Sequence, residues 1–125
     1  MAEAKFYRCN HCGLMIAVVK DGPCTPMCCG EKMELLDAGS VDAAREKHVP
    51  ELTVEGDELV VRVGSVEHPM LDVHYIEWIA YVSPKKTVIK YLKPGEKPEA
   101  TFHLDGDDVT VYAYCNLHGL WKAEL

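Results

Sequence analysis

At 125 residues and 48% hydrophobic content, the chain is long enough for one or two small cores. Its apolar residues are too evenly spread for a membrane span. Thirteen basic against twenty acidic side chains leave a net charge of −7 with no Lys/Arg-rich block, which argues against a nucleic-acid partner.

In chain order, the first residues, MAEAKFYRC, carry charges and no apolar stretch, so no signal peptide is expected and a cytoplasmic location is. In a reducing compartment, six cysteines read as metal ligands before disulfides. Five of them fall within residues 1–36, which are expected to form a domain of their own, with 37–125 as the second. A segment below roughly 40 residues rarely buries enough apolar surface to fold unaided, so a metal here would be structural whatever else it does. Cys9-x-x-Cys12 with Cys28-Cys29 supplies four thiolates. The C-x2-C spacing converges two sulfurs on one ion; the adjacent pair does so at a strained angle, and a distorted tetrahedron is expected. Zinc and iron both accept four sulfurs, and spacing does not choose between them. Cys24 reads as a loop thiol or a substitute ligand, and His11 as facing solvent.

After the seam at Asp37–Ser40, Ser40 is expected to cap a helical turn through Val41–Ala44. Pro50 biases Val49 towards an extended shape and places His48 on a loop. The pattern then becomes β. Leu59, Val61 and Val63 share a face after the Gly56-Asp57 turn signal, and His74, Ile76, Trp78, Ala80 and Val82 are expected to share the inward face of another strand. Shorter runs cover Thr87–Leu92 and Ala100–Leu104. Val109, Val111, Ala113 and Cys115 line one face, and Trp121, Ala123 and Leu125 close the chain. About seven short strands punctuated by turns fit an antiparallel β-sandwich.

His48, His68, His74, Cys115 and His118 come from separate segments beside these strands. Singly, each histidine reads as a surface or hydrogen-bonded core residue; the case for a site rests on convergence at one end of the sandwich. Four imidazoles and one thiolate exceed the tetrahedron zinc prefers and suit a redox-active iron with its sixth position open. His103, alternating with Phe102 and Leu104, should point outward and bind nothing.

Cys9-x-x-Cys12…Cys28-Cys29, EKHVP (46–50), GSVEHPM (64–70), HYIEW (74–78), LKPG (92–95) and CNLHG (115–119) occur in an order that resembles the desulfoferrodoxins, two-iron superoxide reductases, over nearly the whole chain. The resemblance implies a mainly β protein: a small desulforedoxin-like metal-knuckle domain followed by an immunoglobulin-like antiparallel β-sandwich. It implies two iron ions as cofactors. Cys9, Cys12, Cys28 and Cys29 would hold the first as FeCys4. His48, His68, His74 and His118, with axial Cys115, would hold the second as FeHis4Cys. It further implies one-electron reduction of superoxide to hydrogen peroxide, a rubredoxin-like electron donor and a homodimer. Lys47, otherwise a solvated surface lysine, would steer superoxide inward, and Glu46 would take the sixth position of the oxidised iron. Two rival readings are a non-catalytic iron electron-transfer protein and a structural zinc ribbon fused to a β-sandwich adaptor.

Overall fold

The computed structural model describes residues 2–125. Two compact units emerge, Ala4–Asp37 and Ala38–Leu125, the latter joined by the residues just ahead of Ala4. Ala2 belongs to this second unit: its N–H donates to Asp108 Oδ1 at 2.8 Å and its carbonyl accepts from Thr110 Oγ1 at 2.6 Å.

In the first unit, β1 (Phe6–Arg8) lies between β2 (Met15–Ala17) and β5 (Glu34–Leu35), and β3 (Met27–Cys28) pairs with β4 (Glu31–Lys32). The β3–β4 hairpin turns on two residues, Cys29 at φ +52° and Gly30 at φ +78°. Two successive positive φ values are the requirement of a type I′ hairpin, usually met by Asn-Gly. Here a cysteine occupies the left-handed position, so the two adjacent cysteines sit on either side of the strand-to-turn transition.

The second unit is a two-layer sandwich. One sheet runs β10 (Glu99–His103), β7 (Glu58–Val63), β6 (Pro50–Glu55). The other runs β12 (Gly119–Glu124), β11 (Thr110–Cys115), β8 (Ile76–Val82), β9 (Thr87–Tyr91). The architecture is therefore mainly β, with seven strands in an immunoglobulin-like pair of sheets. Gly56, at φ +63°, opens the two-residue β6–β7 turn. Strict alternation buries Leu59, Val61 and Val63 against Val109, Val111, Ala113 and Cys115. Each fully buried aliphatic side chain of this kind contributes about 1.5–3 kcal/mol.

Three local expectations fail for tertiary reasons. The helical turn is Arg45–His48, one turn beyond Val41–Ala44, and its N-cap is Ala44, which makes no side-chain bond. Its position is set by the 64–66 segment: Val66 N–H and Ser65 Oγ both donate to the Glu46 carbonyl, at 2.9 and 3.3 Å. His48 is thus the last residue of this helix, α1, rather than part of a loop.

The inward face expected from His74 through Val82 also breaks. Tyr114 pairs with Trp78 while its neighbour Cys115 pairs with Ile76, so Glu77 is an extra residue on β8. Such a bulge reverses the alternation. Ile76 faces the sandwich core, and beyond the bulge Ile79 and Tyr81 do so in place of Trp78 and Ala80.

At the far end of β8, Tyr81 donates its hydroxyl to Asp105, whose other oxygen accepts from Ser83 Oγ at 2.6 Å. The Asp105 N–H returns to the Tyr81 oxygen at 3.1 Å. This knot ties β8 in one sheet to the segment following β10 in the other.

Candidate metal centres

Each unit holds one cluster of soft or imidazole donors. In the first, the sulfurs of Cys9, Cys12, Cys28 and Cys29 all lie within 4.8 Å of one another. Sulfurs at the corners of a tetrahedron with bonds of about 2.3 Å stand about 3.8 Å apart; Cys12 and Cys28 are separated by 3.6 Å, Cys28 and Cys29 by 3.9 Å. The Cys9 loop closes through its N–H to the Leu14 carbonyl and the Gly13 N–H to the Cys9 carbonyl, with Gly13 at φ +82°. Backbone N–H groups of Cys12 and His11 pull the Cys9 thiol down to about 6. The neighbouring Cys12 and Cys9 sulfurs push Cys28 up to about 12, and they raise Cys29 as well. The Cys9 thiolate forms readily while those of Cys28 and Cys29 are resisted, as expected of thiols packed against one another. His11 is exposed beside Glu31, with 3.0 Å between Nε2 and Oε2, and Cys24 is exposed.

In the second cluster, His48 ends α1, His68 and His74 flank the turn before β8, and Cys115 ends β11. Donor atoms of His48, His68, His74 and Cys115 all lie within 4.8 Å of one another. His118 joins through Nδ1, 3.2 Å from His48 Nε2 and 3.9 Å from Cys115 Sγ. It reaches this place because the β11–β12 hairpin turns through residues 116–118 and re-enters at Gly119, φ +78°, opposite Cys115. The four rings close a square. Adjacent centroids are 4.6 Å (His48–His68), 4.7 Å (His68–His74), 5.1 Å (His74–His118) and 4.9 Å (His118–His48) apart. His48 and His74 face each other across it at 6.5 Å.

A metal fits this square on the grounds of hydrogen bonding and burial. His48 Nδ1 lies 2.7 Å from the Ala44 carbonyl and His68 Nδ1 2.7 Å from that of Pro69. A carbonyl only accepts, so both Nδ1 atoms carry protons and both Nε2 atoms present lone pairs. Burial lowers the proton affinity of His48, His74 and, to about 4, His68, which keeps these rings neutral. Two lone pairs therefore oppose each other across 3.1 Å between His48 Nε2 and His68 Nε2. That contact is unfavourable until a cation lies between them, and it matches the separation of about 3 Å for two nitrogens at right angles on bonds of about 2.1 Å. His74 Nε2 is buried without a hydrogen-bond partner, as a metal ligand would be. Burial raises the Cys115 thiol, while the N–H groups of Leu117 and His118 pull it down.

Three positions to which the sequence reading gave no role at the site support the square. Trp121 stacks on His48, with centroids 4.9 Å apart, and donates Nε1–H to the His118 carbonyl at 3.0 Å. Gly64 passes so close to α1 that a Cβ there would lie 2.6 Å from the Glu46 oxygen and 2.9 Å from that of Val49. Asn116 bonds through both ends of its side-chain amide to residues flanking His74. Lys47 and Glu46 are exposed on α1. Lys47 shares a cleft of about 430 Å³ with His68, and its charge contributes to the depressed proton affinity of His48 and His74. His103 is exposed and stands apart from the cluster, near Asp57.

Residues 2–36 match the family described as "Desulfoferrodoxin, N-terminal domain" and residues 40–124 that described as "Desulfoferrodoxin". A desulfoferrodoxin of Syntrophotalea carbinolica is 46% identical over 99% of both chains. The crystal structure of the superoxide reductase from Treponema pallidum superposes with a TM-score of 0.79 at 36% identity, covering 98% of this chain and 99% of that one. A one-iron superoxide reductase from Giardia intestinalis gives a TM-score of 0.56 at 34% identity, covering 64% of this chain and 99% of its own. With both halves matched in order and both donor clusters assembled, the chain belongs to the desulfoferrodoxin family.

Proposed function

We propose that this protein is a superoxide reductase, in which superoxide, one electron and two protons yield hydrogen peroxide without release of dioxygen. The observation that carries the reading is the square of four imidazoles beside one buried cysteine, in a family with superoxide reductases among its relatives. Two iron ions are the cofactors, in FeCys4 and FeHis4Cys sites. Cys9, Cys12, Cys28 and Cys29 serve the first; His48, His68, His74, His118 and Cys115 serve the second. When bound, the second iron would supply the electron that reduces superoxide.

The residues set the charge at that position. With Cys115 the single anionic donor among imidazoles, a divalent ion held here would keep net positive charge, which suits the approach of an anionic diatomic. The net charge of −7 repels superoxide at long range, and Lys47, at the mouth of the cleft shared with His68, focuses the last part of the path. Burial holds the Cys115 thiol above its ordinary value and the Leu117 and His118 N–H groups offset part of that, so a bound cation would be what makes it the thiolate. His74 and His118 are only partly buried, which brings solvent, the source of the protons, to this edge of the site. Glu46, on the same exposed turn, would offer a hard carboxylate oxygen of the kind that suits an oxidised iron.

All six cysteines are free, in keeping with a reducing cytoplasmic setting, and no helix among the described residues is long and apolar enough to cross a membrane. A rubredoxin-like donor returns the electron, and a homodimer is the assembly the family resemblance implies. The deciding experiment mixes the fully reduced protein with superoxide and measures peroxide and dioxygen together. A full equivalent of peroxide per superoxide, with no dioxygen, supports the reading. Half an equivalent with dioxygen evolved would mark dismutation and sink it.

A further inference from the structure

His48 and His68 are each aimed by a hydrogen bond from Nδ1 to a backbone carbonyl. The His74 ring has no such bond among the described residues, and it precedes β8, outside any strand. Its local constraint is the narrow turn in which Leu71 and His74 exchange backbone hydrogen bonds at 2.9 and 3.1 Å. What holds that turn is Asn116. Asn116 Oδ1 accepts the Tyr75 N–H at 2.9 Å, its Nδ2 donates to the Val73 carbonyl at 3.0 Å, and its own N–H reaches the Tyr75 carbonyl at 3.2 Å. The residues on either side of His74 are thus gripped by the residue that follows Cys115.

We propose that Asn116 is the positioning residue of the second iron site. Its side chain locks the His74 turn to the hairpin that bears Cys115 and His118. It thereby sets the direction of the His74 ring and the angle at which the Leu117 and His118 N–H groups meet the Cys115 sulfur. Three of the five donors depend on this one amide. The inference rests on the reading of the cluster as an iron site and extends it to the residue that fixes the ligand geometry. Outer partners of metal ligands commonly carry about 10–100-fold in metal affinity, and here one side chain acts on an imidazole and a thiolate together.

The test uses the full-length, iron-loaded protein and the variants Asn116→Asp and Asn116→Ala. Asn116→Asp keeps the shape and the acceptor for Tyr75 but sets an oxygen against the Val73 carbonyl; Asn116→Ala removes both bonds. Both variants should release the second iron to a ferrous chelator about 10–100-fold more readily. They should also move the thiolate-to-iron absorption band and the reduction potential of that centre. Dispersed amide resonances of the sandwich strands, unchanged, report that the unit bearing Asn116 is folded, since the four-cysteine centre lies in the other unit. An unmoved band and unchanged iron retention in both variants overturn the inference, even if thermal stability falls, because a purely structural link would act on stability alone. Absence of the second iron from the parent protein would instead overturn the underlying reading, and the inference with it.

Discussion

At the scale of single residues, the side chains that carry chemistry are separable from those that place them. Lys47 is exposed, and its charge adds a small part to the lowered proton affinity of His48 and His74, for which burial is the larger cause. Lys47→Ile should lower the second-order rate constant with superoxide by about tenfold or more, within the range that electrostatic focusing supplies. It should also flatten the dependence on ionic strength; an unchanged rate at low salt would remove Lys47 from the mechanism. Glu46→Ala should leave the first encounter with superoxide intact and alter the absorption spectrum of the oxidised protein, both readable in one stopped-flow experiment. The residue types of both clusters were legible in the sequence because thiolate and imidazole are scarce and chemically distinctive. Trp121 was not: nothing in its sequence neighbourhood distinguishes a tryptophan that stacks on a ligand from one that merely fills the core.

At the scale of elements, the site depends on where short segments are pressed against strands. Gly64 allows the α1 backbone to approach within a distance that no Cβ tolerates. Gly64→Ala should displace the turn that ends at His48 and cost about 1–3 kcal/mol, the usual penalty of overpacking. The second iron should be lost while the first is retained, which metal analysis on the purified variant would report. At the other end of β8, hydrogen bonds from Ser83 and Tyr81 hold the Asp105 carboxyl below its ordinary 3.8. A depressed folded value means that the unfolded chain binds the proton more tightly. The stabilisation is therefore present above about pH 4 and is lost as pH falls through the depressed value. Asp105→Asn should melt below the parent at neutral pH, with the gap closing in acid; a gap independent of pH would discount the ionised carboxylate. The strands themselves were legible from alternation, as β7 shows. The bulge at Glu77 was not, because an extra residue in a strand is defined by its partner, and residue alternation carries no mark of it.

At the scale of the whole molecule, two units of different physical kind share one chain. The segment Ala4–Asp37 has a small core cluster of Tyr7, Cys9 and Met33 with a few half-buried neighbours, and below about 40 residues such a unit leans on its metal. Cys12→Ser should therefore abolish the first iron and the dispersed amide resonances of this unit. The sandwich, with its own core, should keep the spectrum of the second centre and its initial reaction with superoxide; loss of both centres together would contradict this independence. By itself the sequence determined which donors exist, their order along the chain, and the period-two strands that carry them, since these follow from side-chain chemistry and local backbone preference. Only the tertiary structure decided that the His48 and His68 lone pairs meet, that His118 enters through Nδ1, and that Asn116 spans two loops. Those are relations between segments more than forty residues apart in the case of Asn116 and seventy in that of His118 and His48, and they arise from packing geometry that no local stretch of chain encodes.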